Sequence, residues 1–165
     1  METARQRAYV GLGANLGDPA GQIRAVLEAL RREPDMVLLR CSSLYGSAPV
    51  DAPGQPDFVN AVAMIETALA PRPLLRSLLE LESRFGRVRS FPNAPRTLDL
   101  DLLLYGEATL DLPDLRVPHP RMHLRRFVLE PLLEIAPLAT IPGYGGAAQL
   151  LAGLVGQNLQ RLAAV

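Results

Sequence analysis

The chain has 165 residues, enough for one compact domain with a true core and too few for two robust ones, so residues 1–165 are read as a single domain. A composition of 48% hydrophobic and 21% charged residues excludes a disordered chain. Its 17 basic residues are matched by 17 acidic ones, which argues against a nucleic-acid binder.

Arg7 to Gly13 reads as a first strand. Asp18 then suits an N-cap with Pro19 at the first helical position, and Ile23, Val26, Leu27 and Leu30 recur at helical spacing, so a helix runs from Pro19 to about Arg32. Met36 to Ser47 reads as one second strand, with the single cysteine, Cys41, as a buried inert thiol. Ala48 to Gln55 holds two prolines and a glycine and is a loop. Phe58 to Glu66 is a third, largely buried strand. Pro71 opens a second helix with a core stripe of Leu74, Leu78, Leu81 and Phe85, stopped by Gly86. The polar stretch Arg87 to Arg96 is a loop, and Thr97 to Tyr105 is the next strand. Thr109 to Leu112 is expected to pair with it across Gly106-Glu107. Phe127 to Ile135 reads as helix despite Pro131, and Gln149 to Leu154 forms a further turn or two. The order β-α-β-β-α-β predicts an α+β, ferredoxin-like sandwich, an antiparallel sheet covered by helices, a fold that hosts many functions.

The N-terminus (M-E-T-A-R-Q-R) is polar and no apolar run reaches about 18 residues, so a cytoplasmic protein without membrane attachment is expected. All basic residues are arginine. Without lysine there is no G-K-S/T phosphate loop and no Schiff-base chemistry.

In T-L-D-L-D-L-L-L-Y, strand alternation sends Leu98, Leu100, Leu102 and Leu104 to one face and Thr97, Asp99 and Asp101 to the other. Two aspartates roughly 6–7 Å apart on one face repel unless a cation lies between them. With no Cys or His beside them, Mg²⁺ suits such oxygen ligands better than zinc. Alternation alone leaves an ordinary solvated strand face equally open. Arg84, Arg87, Arg89 and Arg96 precede the pair, Arg121, Arg125 and Arg126 follow it, and Arg87 to Arg96 contains no acid. Such uncompensated guanidinium groups are what a triphosphate needs. Of the two histidines, His119 is read as a hydrogen-bonding group and His123 as a surface residue. Gly11-Leu12-Gly13-Ala14-Asn15-Leu16-Gly17 is not a dinucleotide fingerprint, because its third glycine comes one residue late; a tight turn and close backbone packing are expected there instead.

Six strings then coincide in order: G-A-N-L at Gly13 to Leu16, Q-P-D-F-V-N-A at Gln55 to Ala61, G-R-V-R at Gly86 to Arg89, P-R-T-L-D-L-D-L at Pro95 to Leu102, V-P-H-P at Val117 to Pro120, and R-R-F-V-L-E-P-L at Arg125 to Leu132. On them the chain resembles the 6-hydroxymethyl-7,8-dihydropterin pyrophosphokinases of folate biosynthesis. The resemblance implies transfer of pyrophosphate from ATP to the pterin alcohol, with release of AMP. It implies two Mg²⁺ ions on Asp99 and Asp101. Arg87 and Arg96 would act on the triphosphate, with Glu82, Arg89, His119 and Arg125 also at the nucleotide. It further implies a pterin stacked between Phe58 and Phe127, its edge read by Asn60 and by backbone groups from Ser47 through Pro49 to Val50. The chain departs from the family in lacking any tryptophan and in a shorter stretch at Ser90 to Ala94. A monomer is expected, with possible contact to a neighbouring folate-pathway enzyme.

Overall fold

The computed structural model describes residues 4–47, 57–85 and 98–165. Strand β1 (Gln6–Ala14) alternates cleanly, with Ala8, Val10, Leu12 and Ala14 buried and Tyr9, Gly11 and Gly13 on the opposite face. Helix α1 (Pro19–Arg32) starts as predicted: the Asp18 carboxylate accepts the Gly21 N–H at 3.1 Å, and Pro19 needs no partner there. Its stripe of Ile23, Val26, Leu27 and Leu30 is fully buried.

The second strand is broken in two, β2 (Met36–Cys41) and β3 (Leu44–Ser47), where a continuous strand was expected. The side chains of Ser42 and Glu134 take over backbone N–H groups at the break. The Ser42 hydroxyl takes the Val62 N–H at 2.9 Å, and the Ser43 N–H is taken by the Glu134 carboxylate at 3.0 Å instead of a strand. Cys41 is half-buried where a buried residue was expected, and burial still pushes its thiol up to about 12, as suits an inert thiol.

Strand β4 (Phe58–Thr67) lies at the centre of the sheet, and all of Val59–Ile65 is buried, so both its faces are covered. Helix α2 (Pro71–Arg84) buries Leu74, Leu78 and Leu81 completely. Strand β5 (Asp99–Tyr105) lies on the other side of β1. The six-stranded sheet runs β10-β3-β4-β1-β5, with β2 on β4 and every pairing antiparallel; β10 is Leu159–Ala163.

Two expectations on β5 are corrected. Its register on β1 slips between Tyr9 and Val10, so Leu104 opposes Tyr9 while Leu102 opposes Val10. That one-residue bulge turns Leu104 away from Leu98, Leu100 and Leu102 and into the second core, beside Leu103. Nor does the segment after Gly106 pair with β5: β6 (Leu110–Leu112) pairs with β7 (Leu115–Val117), a shorter closure.

The first core lies between one sheet face and α1 and α2. The second lies on the other face under α3 (Arg126–Ile135), where Val128, Leu129 and Leu132 meet Val62, Met64 and Leu103. The small pair β8 (Thr140–Ile141) and β9 (Gly145–Gly146) leads into α4 (Ala147–Ala152), which packs on α3. Helix α3 covers only part of its face. Towards Gly11 and Gly13 the sheet is left open, and the site lies there.

Candidate functional site

The register brings the residues together. Gly11 opposes Asp101 on β5 and Val62 on β4; Gly13 opposes Asp99 and Asn60. Across three neighbouring strands the exposed face therefore reads aspartate, glycine, asparagine. The glycines are not turn residues: they lie in extended strand and form a floor without side chains. A Cβ on Gly13 would stand 3.2 Å from Asn60 Oδ1, and one on Gly11 would stand 3.4 Å from Leu103. Two glycines at i and i+2, opposite a buried Leu12, are the signal that sequence reasoning passed over.

Above that floor is a cavity of about 240 Å³, walled by Phe58, Asn60 and Ser47 on one side, Asp99 and Asp101 on the other, and Arg125 and Phe127 from the start of α3. It lies just under the range of about 300–1,000 Å³ for drug-sized ligands and suits one flat bicycle. Phe58 and Phe127 are half-buried at its walls. Asn60 is 5% exposed, and its Nδ2 donates to the Ser47 hydroxyl at 2.8 Å. That bond fixes the amide so that Oδ1 faces the floor beside Gly13.

A second cavity of about 350 Å³ lies against α2, β5 and the β6-β7 hairpin, lined by Leu75, Leu79, Glu82, Asp114, Arg116 and His119 among others. Sequence reasoning missed Asp114 and Arg116. Asp101 lines both cavities. Glu82 is 3% exposed and accepts the Leu100 N–H at 2.8 Å.

Electrostatics set the character of the two basic groups. Burial, then the Arg125 and Arg121 charges, lower the His119 pKa to about 4, so its ring is neutral near pH 7. Its Nδ1 accepts the Arg121 N–H at 3.2 Å, which leaves the proton on Nε2 as a donor. The guanidinium of Arg125 lies 5.4 Å from the Phe127 ring centre, and burial lowers its pKa while Asp101 and Asp99 oppose that shift. One cation thus faces both the aspartate pair and an aromatic wall. His123, expected at the surface, is half-buried instead, because its ring stacks on Tyr144 with centroids 3.9 Å apart.

Among the described residues, no group of three or more His, Cys, Asp and Glu side chains could hold a metal. Two carboxylates on one face, beside a floor without side chains, fit Mg²⁺, which takes one or two carboxylates and completes its shell from phosphate oxygens and water. Arg87, Arg89, Arg96, Pro49 and Val50 lie outside the described residues.

Residues 9–137 match a family model described as 7,8-dihydro-6-hydroxymethylpterin-pyrophosphokinase. The chain is 48% identical over 157 residues to the 2-amino-4-hydroxy-6-hydroxymethyldihydropteridine pyrophosphokinase of Pseudomonas aeruginosa, covering 95% of this chain and 97% of that one. The Haemophilus influenzae protein of the same name is 44% identical over 150 residues, with 91% of each chain covered. Among solved structures, the HPPK-DHPS of Plasmodium falciparum with pteroate superposes with a TM-score of 0.73 at 13% identity. The match covers 92% of this chain and 43% of that longer one, and it establishes a shared fold.

Proposed function

The chain belongs to the 7,8-dihydro-6-hydroxymethylpterin-pyrophosphokinase family, enzymes of folate biosynthesis, and we propose that it moves a pyrophosphoryl group from ATP to 6-hydroxymethyl-7,8-dihydropterin. The observation that carries this reading is the place of Asp101, in the wall of both cavities. One cavity has aromatic walls and an amide at its edge, which suits a pterin. The other has a neutral histidine donor and suits the nucleotide. The hydroxymethyl oxygen attacks the β-phosphorus in line and gives up its proton to solvent, the bond from that phosphorus to the α–β bridging oxygen breaks, and AMP leaves with the oxygen.

Phe58 and Phe127 sandwich the pterin ring and Asn60 Oδ1 accepts from its N–H edge, with Ser47, Pro49 and Val50 completing that edge. Asp99 and Asp101 would hold Mg²⁺, two ions in all, and the metal would supply neutralisation of phosphate charge. His119 donates Nε2–H to a phosphate oxygen without adding charge. Arg125 supplies a fixed positive charge beside the aspartates, while Arg87, Arg89 and Arg96 act on the triphosphate and Glu82 borders the nucleotide. With no covalent nucleophile assigned, the rate comes from positioning and charge stabilisation.

The strand order β5-β1-β4, with β2 and β3 sharing the far edge of β4, supports a ferredoxin-like βαββαβ plan in which β2 and β3 together serve as the second strand. The protein acts in the cytoplasm as a monomer; no helix among the described residues is long and apolar enough to cross a membrane. Relatives named HPPK-DHPS support contact with a neighbouring folate-pathway enzyme.

Product analysis tests the reaction. AMP formed only when the pterin, ATP and Mg²⁺ are all present is the expected result. Pyrophosphate release would indicate a nucleotidyl transferase, and no turnover would indicate a ligand-binding module.

A further inference from the structure

A carboxylate on the last turn of a helix faces the negative end of the helix dipole, and burying it compounds the cost. Glu82 occupies such a place at the end of α2, 3% exposed. Its Oε1 reaches across to β5 and accepts the Leu100 N–H at 2.8 Å. Leu100 is the residue between Asp99 and Asp101.

Strand β5 is the edge of its sheet, paired with β1 alone. One side of its backbone therefore has no strand to fix it. Groups from elsewhere hold that side: Glu82 at Leu100, and the His119 N–H, which donates to the Leu103 carbonyl at 2.9 Å. The Glu82 bond acts at the Asp99–Leu100 peptide, one of the two that separate the aspartates. The Leu100 side chain is itself locked in the first core, so side chain and amide together define the strand's orientation there.

We propose that Glu82 is a positioning residue that holds the Asp99–Asp101 pair in register through the Leu100 amide. This goes beyond its place beside the nucleotide, and it rests on the reading of that pair as metal ligands. Partners in the outer shell of a metal site orient the ligands they touch, and losing one weakens metal binding about 10–100-fold.

The test uses the full chain with Glu82→Gln, which keeps an acceptor, Glu82→Leu, which removes it, and Glu82→Asp, which withdraws it by one methylene. Hydrogen exchange of the Leu100 amide is measured without metal, and Mn²⁺ affinity is measured by calorimetry with a non-hydrolysable ATP analogue. Glu82→Leu and Glu82→Asp are expected to speed Leu100 exchange and weaken Mn²⁺ binding by about tenfold or more, with Glu82→Gln staying much nearer the wild type. Glu82→Asp alone decides the matter if Glu82→Leu does not fold. Unchanged exchange in the variants, or equal Mn²⁺ affinity in all of them beside lowered melting temperatures, would overturn the positioning role. Failure of the wild-type chain itself to bind Mn²⁺ would overturn the metal reading beneath it.

Discussion

Gly13→Ala separates a substrate floor from mere close packing. Gly13 lies in extended strand backbone without a positive φ, so alanine meets no conformational strain there. Alanine in a strand interior is favoured over glycine by about 0.5–1 kcal/mol. Against that gain, the new methyl stands 3.2 Å from Asn60 Oδ1, and Asn60 is held in place by its 2.8 Å bond to Ser47. The two effects nearly cancel, so stability should stay within about 1 kcal/mol, a melting shift of at most about 4 °C for a chain of this size. The methyl also rises from the floor between Asp99 and Asn60 and displaces whatever lies there. A misplacement on the order of 1 Å costs about 10²-fold in rate. Steady-state kcat/KM for the pterin, set beside a thermal melt, is the assay. Wild-type kcat/KM with a melting point lowered by many degrees would refute the floor and restore the packing explanation.

Glu134→Ala should destabilise by about 2 kcal/mol, because Ser43 loses the acceptor for its buried N–H and Tyr45 and Arg161 lose a shared partner; a urea midpoint checks it. Burial pushes the Glu134 carboxyl up, but bonds from Tyr45 and Ser43 and the Arg161 charge outweigh it, so its pKa is lowered on folding. The stability it contributes is therefore present above the ordinary carboxylate pKa and lost as pH falls through the folded value, which a melt series run with and without the substitution measures. His119 is also lowered, to about 4, so the unfolded chain takes up its proton first. Stability should fall as pH drops from about 6.5 towards 4, and His119→Asn should flatten that part of the curve. Cys41 should resist thiol alkylation at pH 8 in the folded protein and react only on unfolding, as mass spectrometry will show.

The helices were legible because their signals are local. Asp18-Pro19 and the Ile23, Val26, Leu27, Leu30 stripe specify α1 without help from the rest of the chain. The aspartate face was legible for the same reason, since a period of two needs only the strand itself. What was hidden depends on partners distant in sequence. The break at Ser42-Ser43 needs Glu134, 91 residues away. The bulge that turns Leu104 appears only once β5 is laid on β1. Gly11 and Gly13 become a floor only between Asp101 and Asp99 on one side and Val62 and Asn60 on the other. The Leu100 amide that Glu82 meets lies 18 residues further along, and no local pattern announces it. The pairing of β6 with β7 was missed because a hairpin signal after Gly106 fits either neighbour.

On the proposed reading, phosphoryl chemistry takes place beside Asp101, which lines both cavities. Its most direct test is turnover by Asp101→Ala, with circular dichroism to show that the fold is kept. Loss of AMP formation by about 10²–10³-fold or more, with the native spectrum retained, is the predicted result. Near-normal AMP formation by that variant would contradict the account.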